Sequence, residues 1–179
     1  MLHGPQNTIE AALLVAVGLL LAGIVSVYLI ADRGLNRRYD VPLAPIVVPD
    51  SHNSVAEGQR LATVRGCFWC HGSRLEGGQY FASAKRGVIA IAPDLTRLIA
   101  QYSPAEFARA VRHGVAPDGT SVQPAMPAFA FYNMSDADLG AIMAYIGSLP
   151  ARNGLHGQFR LLPVGWVRWA LGRLPPNAA

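Results

Sequence analysis

Cys67-Phe68-Trp69-Cys70-His71 is the stretch on which the reading of the whole chain turns. Two thiols three positions apart, with an imidazole directly after the second, suit few chemistries. A thioredoxin-like redox pair needs a βαβ setting, and none surrounds this stretch. Half of a zinc ribbon needs a second cysteine pair, and Cys67 and Cys70 are the only two cysteines in the sequence. Covalent attachment of c-type haem fits best. The spacing lets both thiols reach the vinyl-derived carbons of one porphyrin, and His71 then reaches the iron.

Around this motif, residues 54–150 read as a compact domain of short helices. Ser54 with Glu57, Ser103 with Pro104 and Glu106, and Ser135 with Asp138 mark three helix starts. Each pairs an N-cap hydroxyl with a carboxylate three residues on. Pro104 occupies a first-turn position, where its missing N–H costs nothing. The second helix is expected to stop at Gly114, after His113. The third carries Leu139, Ile142, Met143 and Ile146 on one stripe and ends before Pro150. No convincing strand pattern lies between these helices. So thin a set of helices needs a filler, and the haem supplies it.

An iron held by His71 wants a sixth ligand. Met126, Met134, Met143, His3, His52, His113 and His156 are the candidates. Met143 falls on the core stripe of the last helix and reads as packing. Met134 precedes the N-cap Ser135, the place of a hydrophobic staple. His113 suits a helix C-terminus. Met126 lies in Gln123-Pro124-Ala125-Met126-Pro127, where flanking prolines stiffen a loop, and it is the favoured ligand. Met134, a histidine or an open position are the alternatives.

Taken together, residues 54–150 resemble a single-haem class I cytochrome c domain, a mainly α fold of short helices around haem. The resemblance covers a little over half of the chain. It rests on Gly58 and Leu61, Cys67, Cys70 and His71, Ala92-Pro93-Asp94-Leu95, Ser103 to Gly114, Met126-Pro127, and Tyr145 with Leu149. The resemblance implies that the Pro93 carbonyl orients His71, as outer partners of metal ligands do. It also implies that the first and last helices cross at Gly58 beside Tyr145. His/Met ligation would raise the reduction potential. The sequence is most similar to cytochrome domains of bacterial membrane-bound dehydrogenases and oxidases.

The flanks differ in character. Ala11 to Ala31 is an uncharged run of 21 residues, about 32 Å of helix and enough to cross a bilayer. A core helix would show a polar face. A signal peptide would show a basic start and small residues near its end, where Tyr28-Leu29-Ile30 stands. Residues 1–31 are therefore expected to be an uncleaved transmembrane anchor. Gly18 and Ala22 form one small-residue pair suited to another helix. Residues 32–53, with Pro42, Pro45 and Pro49, are expected to be a semi-stiff linker, its valines and Ile46 lying on another protein. Residues 151–179 place Val164, Val167, Ala170, Leu171 and Leu174 on one helical stripe flanked by Trp166 and Trp169. That tail suits a membrane surface, its own domain or a partner.

Composition agrees with this partition. The chain is 51% hydrophobic and 15% charged, against about 25% charged in ordinary domains, which excludes a disordered protein. Its net charge of +4 sits in Arg152, Arg160, Arg168 and Arg173 of the tail, whereas residues 51–150 carry only +1. Scattered arginines do not make a nucleic-acid arm. Arg74, Lys85 and Arg86 suit haem propionates, a docking face or plain solvation. Phe68 and Trp69 are expected to pack around the haem edge.

The expected function is one-electron transfer by one covalent haem c in a membrane-anchored subunit of a respiratory or photosynthetic redox complex. Redox proteins are the expected partners, with no small-molecule substrate. A near-neutral domain lacks a steering field, and tethering replaces it. A peroxidase-like haem enzyme and a haem sensor are the rivals, and both need an open sixth position. Arg33, Arg37 and Arg38 after the anchor favour a cytoplasmic domain by the positive-inside rule. Haem attachment favours the periplasmic side of the inner membrane, and it outweighs the charge bias.

Overall fold

The computed structural model describes residues 5–174. Helix α1, Pro5–Leu35, is a single 31-residue rod. Its Thr8–Leu35 stretch is long and apolar enough to cross a membrane, and its most apolar window is wholly unburied within the protein. Gly18 has nothing near it among the described residues, and Ala22 is exposed.

The chain then runs without regular structure to α2, His52–Val64. The sequence reading expected the apolar residues of this stretch to lie on another protein; Leu43, Val47 and Val48 are exposed, and the rest of the segment is held by this chain. It straps its own domain. Tyr39 N–H donates to Gly119 O at 2.8 Å, Arg38 donates to Asp118 O, and Arg109 donates to Val41 O at 3.3 Å. Ile46 packs against the core. Val47 and Pro49 lie against Gly140, where a Cβ would meet Pro49 Cδ at 3.3 Å. The domain supplies an apolar contact for Ile46 and hydrogen-bond partners for the segment before it.

Helix α2 starts two residues before the expected cap. Ser51 is the N-cap, accepting from Ser54 N–H, and Glu57 instead clasps Arg60 at 2.6 Å. The single-turn α3, Cys67–His71, follows. Helix α4, Leu95–Gln101, is capped by Asp94, and α5, Pro104–His113, carries the full Ser103/Glu106 capping box and ends at Gly114 in the left-handed region. Helix α6, Asp136–Ser148, begins at Ser135 as expected. Met134 is buried in the core beneath that cap.

Helices α2 and α6 cross where Gly58 meets Ala141 and Tyr145. Leu61, Leu139, Ile142, Met143 and Ile146 form the core between them with Phe107 of α5.

A sheet that the sequence reading did not anticipate lies on the other side. Strands β1, Gly78–Ser83, β2, Val88–Ala92, and β3, Gln158–Leu161, pair antiparallel in that order. Val88 opposes Leu161, and Ile91 opposes Gln158. Val88-Ile89-Ala90-Ile91 had the β-branched content of a strand. Its second neighbour, however, comes from the tail, some seventy residues on. The tail thus continues the domain rather than hanging from it.

Helix α7, Pro163–Ala170, follows β3 and packs on the end of α1. The expected stripe does not face inward. Trp169 and Gly165 are buried, whereas Val164, Val167 and Leu171 are exposed. Gly165 fits against the Gly87 backbone so closely that even a methyl group there would collide with it.

Candidate functional site

The site begins with two glycines. Gly66 at φ 78° and Gly72 at φ 82° bracket α3, and left-handed φ is cheap only for glycine. They let the chain turn sharply into and out of one helical turn, so that Cys67, Cys70 and His71 all line one cavity of about 470 Å3. The opposite parts of its lining come from α5, α6 and the Gln123–Pro127 loop, and the lining is mainly apolar.

His71 is 8% exposed. Its Nδ1 lies 2.7 Å from the Pro93 carbonyl oxygen. A carbonyl only accepts, so Nδ1 carries the proton and Nε2 keeps its lone pair. Burial pushes the imidazole pKa down, against the opposing pull of the Pro93 bond. The ring is therefore neutral at pH 7, the state in which it ligates a metal. Burial also pushes the Cys67 thiol up to about 11. That keeps it protonated, and a protonated thiol is a poor metal ligand.

Pro93 is itself fixed from behind. Asp94 N–H donates to Leu155 O at 2.9 Å, and Leu95 N–H donates to Leu75 O at 2.8 Å. Asp94, 3% exposed, accepts from Thr96 Oγ1 at 2.6 Å, Thr96 N–H at 2.9 Å and Gly154 N–H at 3.1 Å. Burial alone would raise its pKa. The Thr96 hydroxyl and the Gly154, Thr96 and Arg97 amides outweigh burial and hold the carboxyl below its ordinary value. Leu75 is fully buried at φ 60°, a conformation that costs a non-glycine residue about 1–3 kcal/mol. This strained residue connects α3 to the Pro93 segment. Sequence reasoning quoted Asp94 but gave it no role, and missed Leu75. The Asp94-x-Thr96 pattern before an apolar turn was the available signal for a helix cap.

Met126 lines the same cavity, and so does Met134. Met134 belongs to the buried core cluster, whereas Met126 is half-buried outside it. The Met126 loop is braced by Met126 N–H to Gln123 O at 2.9 Å. Gln123 in turn donates from its side chain to Ile91 O of β2 at 2.8 Å, a contact the sequence did not reveal. Among the histidines, His113 sits edge-on to Tyr132 at 5.3 Å. His156 is exposed at the cavity rim. His52 opens α2, and His3 lies outside the described residues.

Other residues singled out in the sequence lie away from the cavity lining. Arg74, Lys85 and Arg86 are not part of the cavity lining, which Arg65 joins instead. Phe68 packs edge-on against Tyr145 at 6.3 Å rather than on the cavity. Trp69 is 86% exposed. Within a single helical turn, Cys67, Cys70 and His71 claim the inward face, and the two residues between the cysteines are left to point elsewhere.

An apolar cavity edged by two thiols and a neutral imidazole fits haem. The sequence profile of the cytochrome c family matches residues 55–150. The chain belongs to the cytochrome c family. This cytochrome carries one haem c, bound covalently through Cys67 and Cys70. It is 32% identical over 112 residues to the fructose dehydrogenase cytochrome subunit of Gluconobacter japonicus, covering 59% of this chain and 23% of that protein. It is 40% identical over 99 residues to the gluconate 2-dehydrogenase cytochrome c subunit of Pantoea cypripedii, covering 51% and 22%. The alcohol dehydrogenase (quinone) cytochrome c subunit of Gluconacetobacter polyoxogenes is 36% identical over 104 residues, covering 54% and 22%. The aligned part of this chain thus spans less than a quarter of each of these relatives.

Proposed function

We propose that this cytochrome passes single electrons as the membrane-anchored subunit of a dehydrogenase complex, with proteins as both donor and acceptor. The observation that carries the reading is the 2.7 Å contact between His71 Nδ1 and the Pro93 carbonyl. It fixes the tautomer and the ring orientation that an axial ligand needs. On this reading His71 and Met126 hold the iron, Cys67 and Cys70 hold the porphyrin, and Pro93 orients His71. Haem c supplies a one-electron couple. Met126 is favoured over Met134 because the core does not use its side chain.

With both axial positions taken there is no place for a small-molecule substrate. That separates an electron carrier from a peroxidase or a gas sensor. The test is an absorption spectrum in both oxidation states, with and without carbon monoxide. A methionine-to-iron charge-transfer band is expected, lost in Met126→Ala and kept in Met134→Ala, with little carbon monoxide binding to the parent. Rapid binding of carbon monoxide to the parent protein would overturn the reading.

The haem domain is assigned to the periplasmic side of the inner membrane. Two of the three arginines that argued otherwise have structural work. Arg38 holds the Asp118 carbonyl, and the Arg37 guanidinium lies 5.2 Å from the Tyr39 ring centre. Protection of the domain from protease added to spheroplasts would overturn this placement. The dehydrogenase names of the relatives support a catalytic subunit as electron donor. Co-purification with a dehydrogenase subunit is the expected result, and a lone monomer with full electron-transfer activity would count against it.

A further inference from the structure

We propose that α7 is a foot that lies in the lipid headgroup layer and sets the height of the haem domain above an anionic bilayer surface. The proposal rests on the reading of α1 as a membrane span.

The contact between the two helices fixes where α7 must be. If Ala11–Ala31 fills the hydrocarbon, Tyr28 lies about 4.5 Å inside its boundary and Gly34 about 4.5 Å outside, at 1.5 Å per residue. Trp166 of α7 packs on Tyr28, ring centres 5.0 Å apart. Trp169 packs on Gly34, where a Cβ would lie 2.5 Å from Trp169 Nε1. Ala31, between them, is fully buried. Helix α7 therefore straddles the boundary at the level where tryptophan and tyrosine collect in membrane proteins.

The exposed side of α7 has the matching chemistry. Val164, Val167 and Leu171 are 43%, 45% and 62% exposed, and their spacing puts them on one face. The tail from residue 151 carries four arginines and no acidic residue. Arg168 is the basic residue of the last turn of α7. An apolar face edged by arginines on a short helix is the pattern of an interfacial helix on anionic lipid. A docked protein subunit would leave the same face covered, and the experiment separates the two.

The test uses the full haem-loaded chain in nanodiscs containing anionic lipid. Val167→Cys and Leu171→Cys are spin-labelled one at a time, the native thiols being consumed by haem. Val17→Cys reports on the anchor, and Gln59→Cys serves as an aqueous reference. Power-saturation EPR compares collision with oxygen and with a water-soluble nickel chelate. Labels at 167 and 171 are expected to favour oxygen several-fold over the chelate, between the values at 17 and 59. If they collide with the chelate as freely as the label at 59, α7 is in water and the proposal falls. If both reagents are excluded, protein covers the face and the proposal falls. A label at 17 open to the chelate overturns the anchor itself, and the proposal with it. An unchanged haem spectrum in each variant confirms that the domain is folded.

Discussion

The replacement Gly58→Ala sets two known effects against each other. Alanine in place of a mid-helix glycine gains about 0.8–1.0 kcal/mol of helix propensity. The new Cβ, however, would lie 2.6 Å from Ala141 C and 2.8 Å from Tyr145 Cβ. Carbon atoms in contact prefer about 3.5–4.0 Å, so α2 and α6 must part by about 1 Å. Two of the three nearest atoms are backbone, and a rotamer change cannot relieve them. The same separation loosens Leu61 and Ala62 of α2 from Leu139, Ile142 and Ile146 of α6. Overpacking of this kind costs about 1–3 kcal/mol and sometimes more. Because the collision is with backbone, the cost falls in the upper part of that range, and a net loss of about 1–2 kcal/mol is expected. The assay is guanidinium unfolding of the full haem-loaded chain in detergent, followed by circular dichroism and haem absorbance. Gly147→Ala in α6 is the control, because a Cβ there meets nothing within 4 Å. It should be neutral or stabilise by up to about 1 kcal/mol. If Gly58→Ala proves as stable as Gly147→Ala, the close helix crossing is refuted.

Two further outcomes follow from the site and its supports. Because the Asp94 carboxyl is held below its ordinary value, the stability it contributes is present above that value and is lost as pH falls through the lowered one. Asp94→Asn should therefore cost about 1–2 kcal/mol at pH 7, a gap that narrows on acidification below about pH 4 in a titration of the thermal midpoint; a gap independent of pH would sink the assignment. Gly165→Val would drive a side chain into the Gly87 backbone, so limited proteolysis should cut the chain after residue 151 at least several-fold faster while the haem spectrum is unchanged.

What the sequence revealed and what it hid divide by distance along the chain. Cys67 to His71, the Ser103/Glu106 box and the Ser135 cap are decided within four or five residues, and each appears where expected. The sheet was hidden because β2 is completed by Phe159 and Arg160 of the tail. The cap that Asp94 makes for α4 was written locally in Asp94-x-Thr96, but its hold on Gly154, 60 positions away, was hidden for the same reason. Residues 32–53 read as a semi-stiff spacer because prolines forbid helix. The sequence did not say that Asp118, Gly119 and Arg109 would hold that segment down. At Ser54 the error was local: a Ser-x-x-Ser pair offered two hydroxyls, and the earlier one capped the helix.

The packing of Trp166 and Trp169 on Tyr28 and Gly34 bears on how a soluble version should be made. Deleting α1, the usual way to free an anchored domain for expression, removes the surface that shields both indoles. Deleting the tail as well removes β3 and strips the outer edge from β2. A soluble form that keeps residues 36–174 therefore needs polar replacements at Trp166 and on the Val164/Val167/Leu171 face, with Trp169 retained because Phe159 of the sheet also packs near it, ring centres 6.4 Å apart.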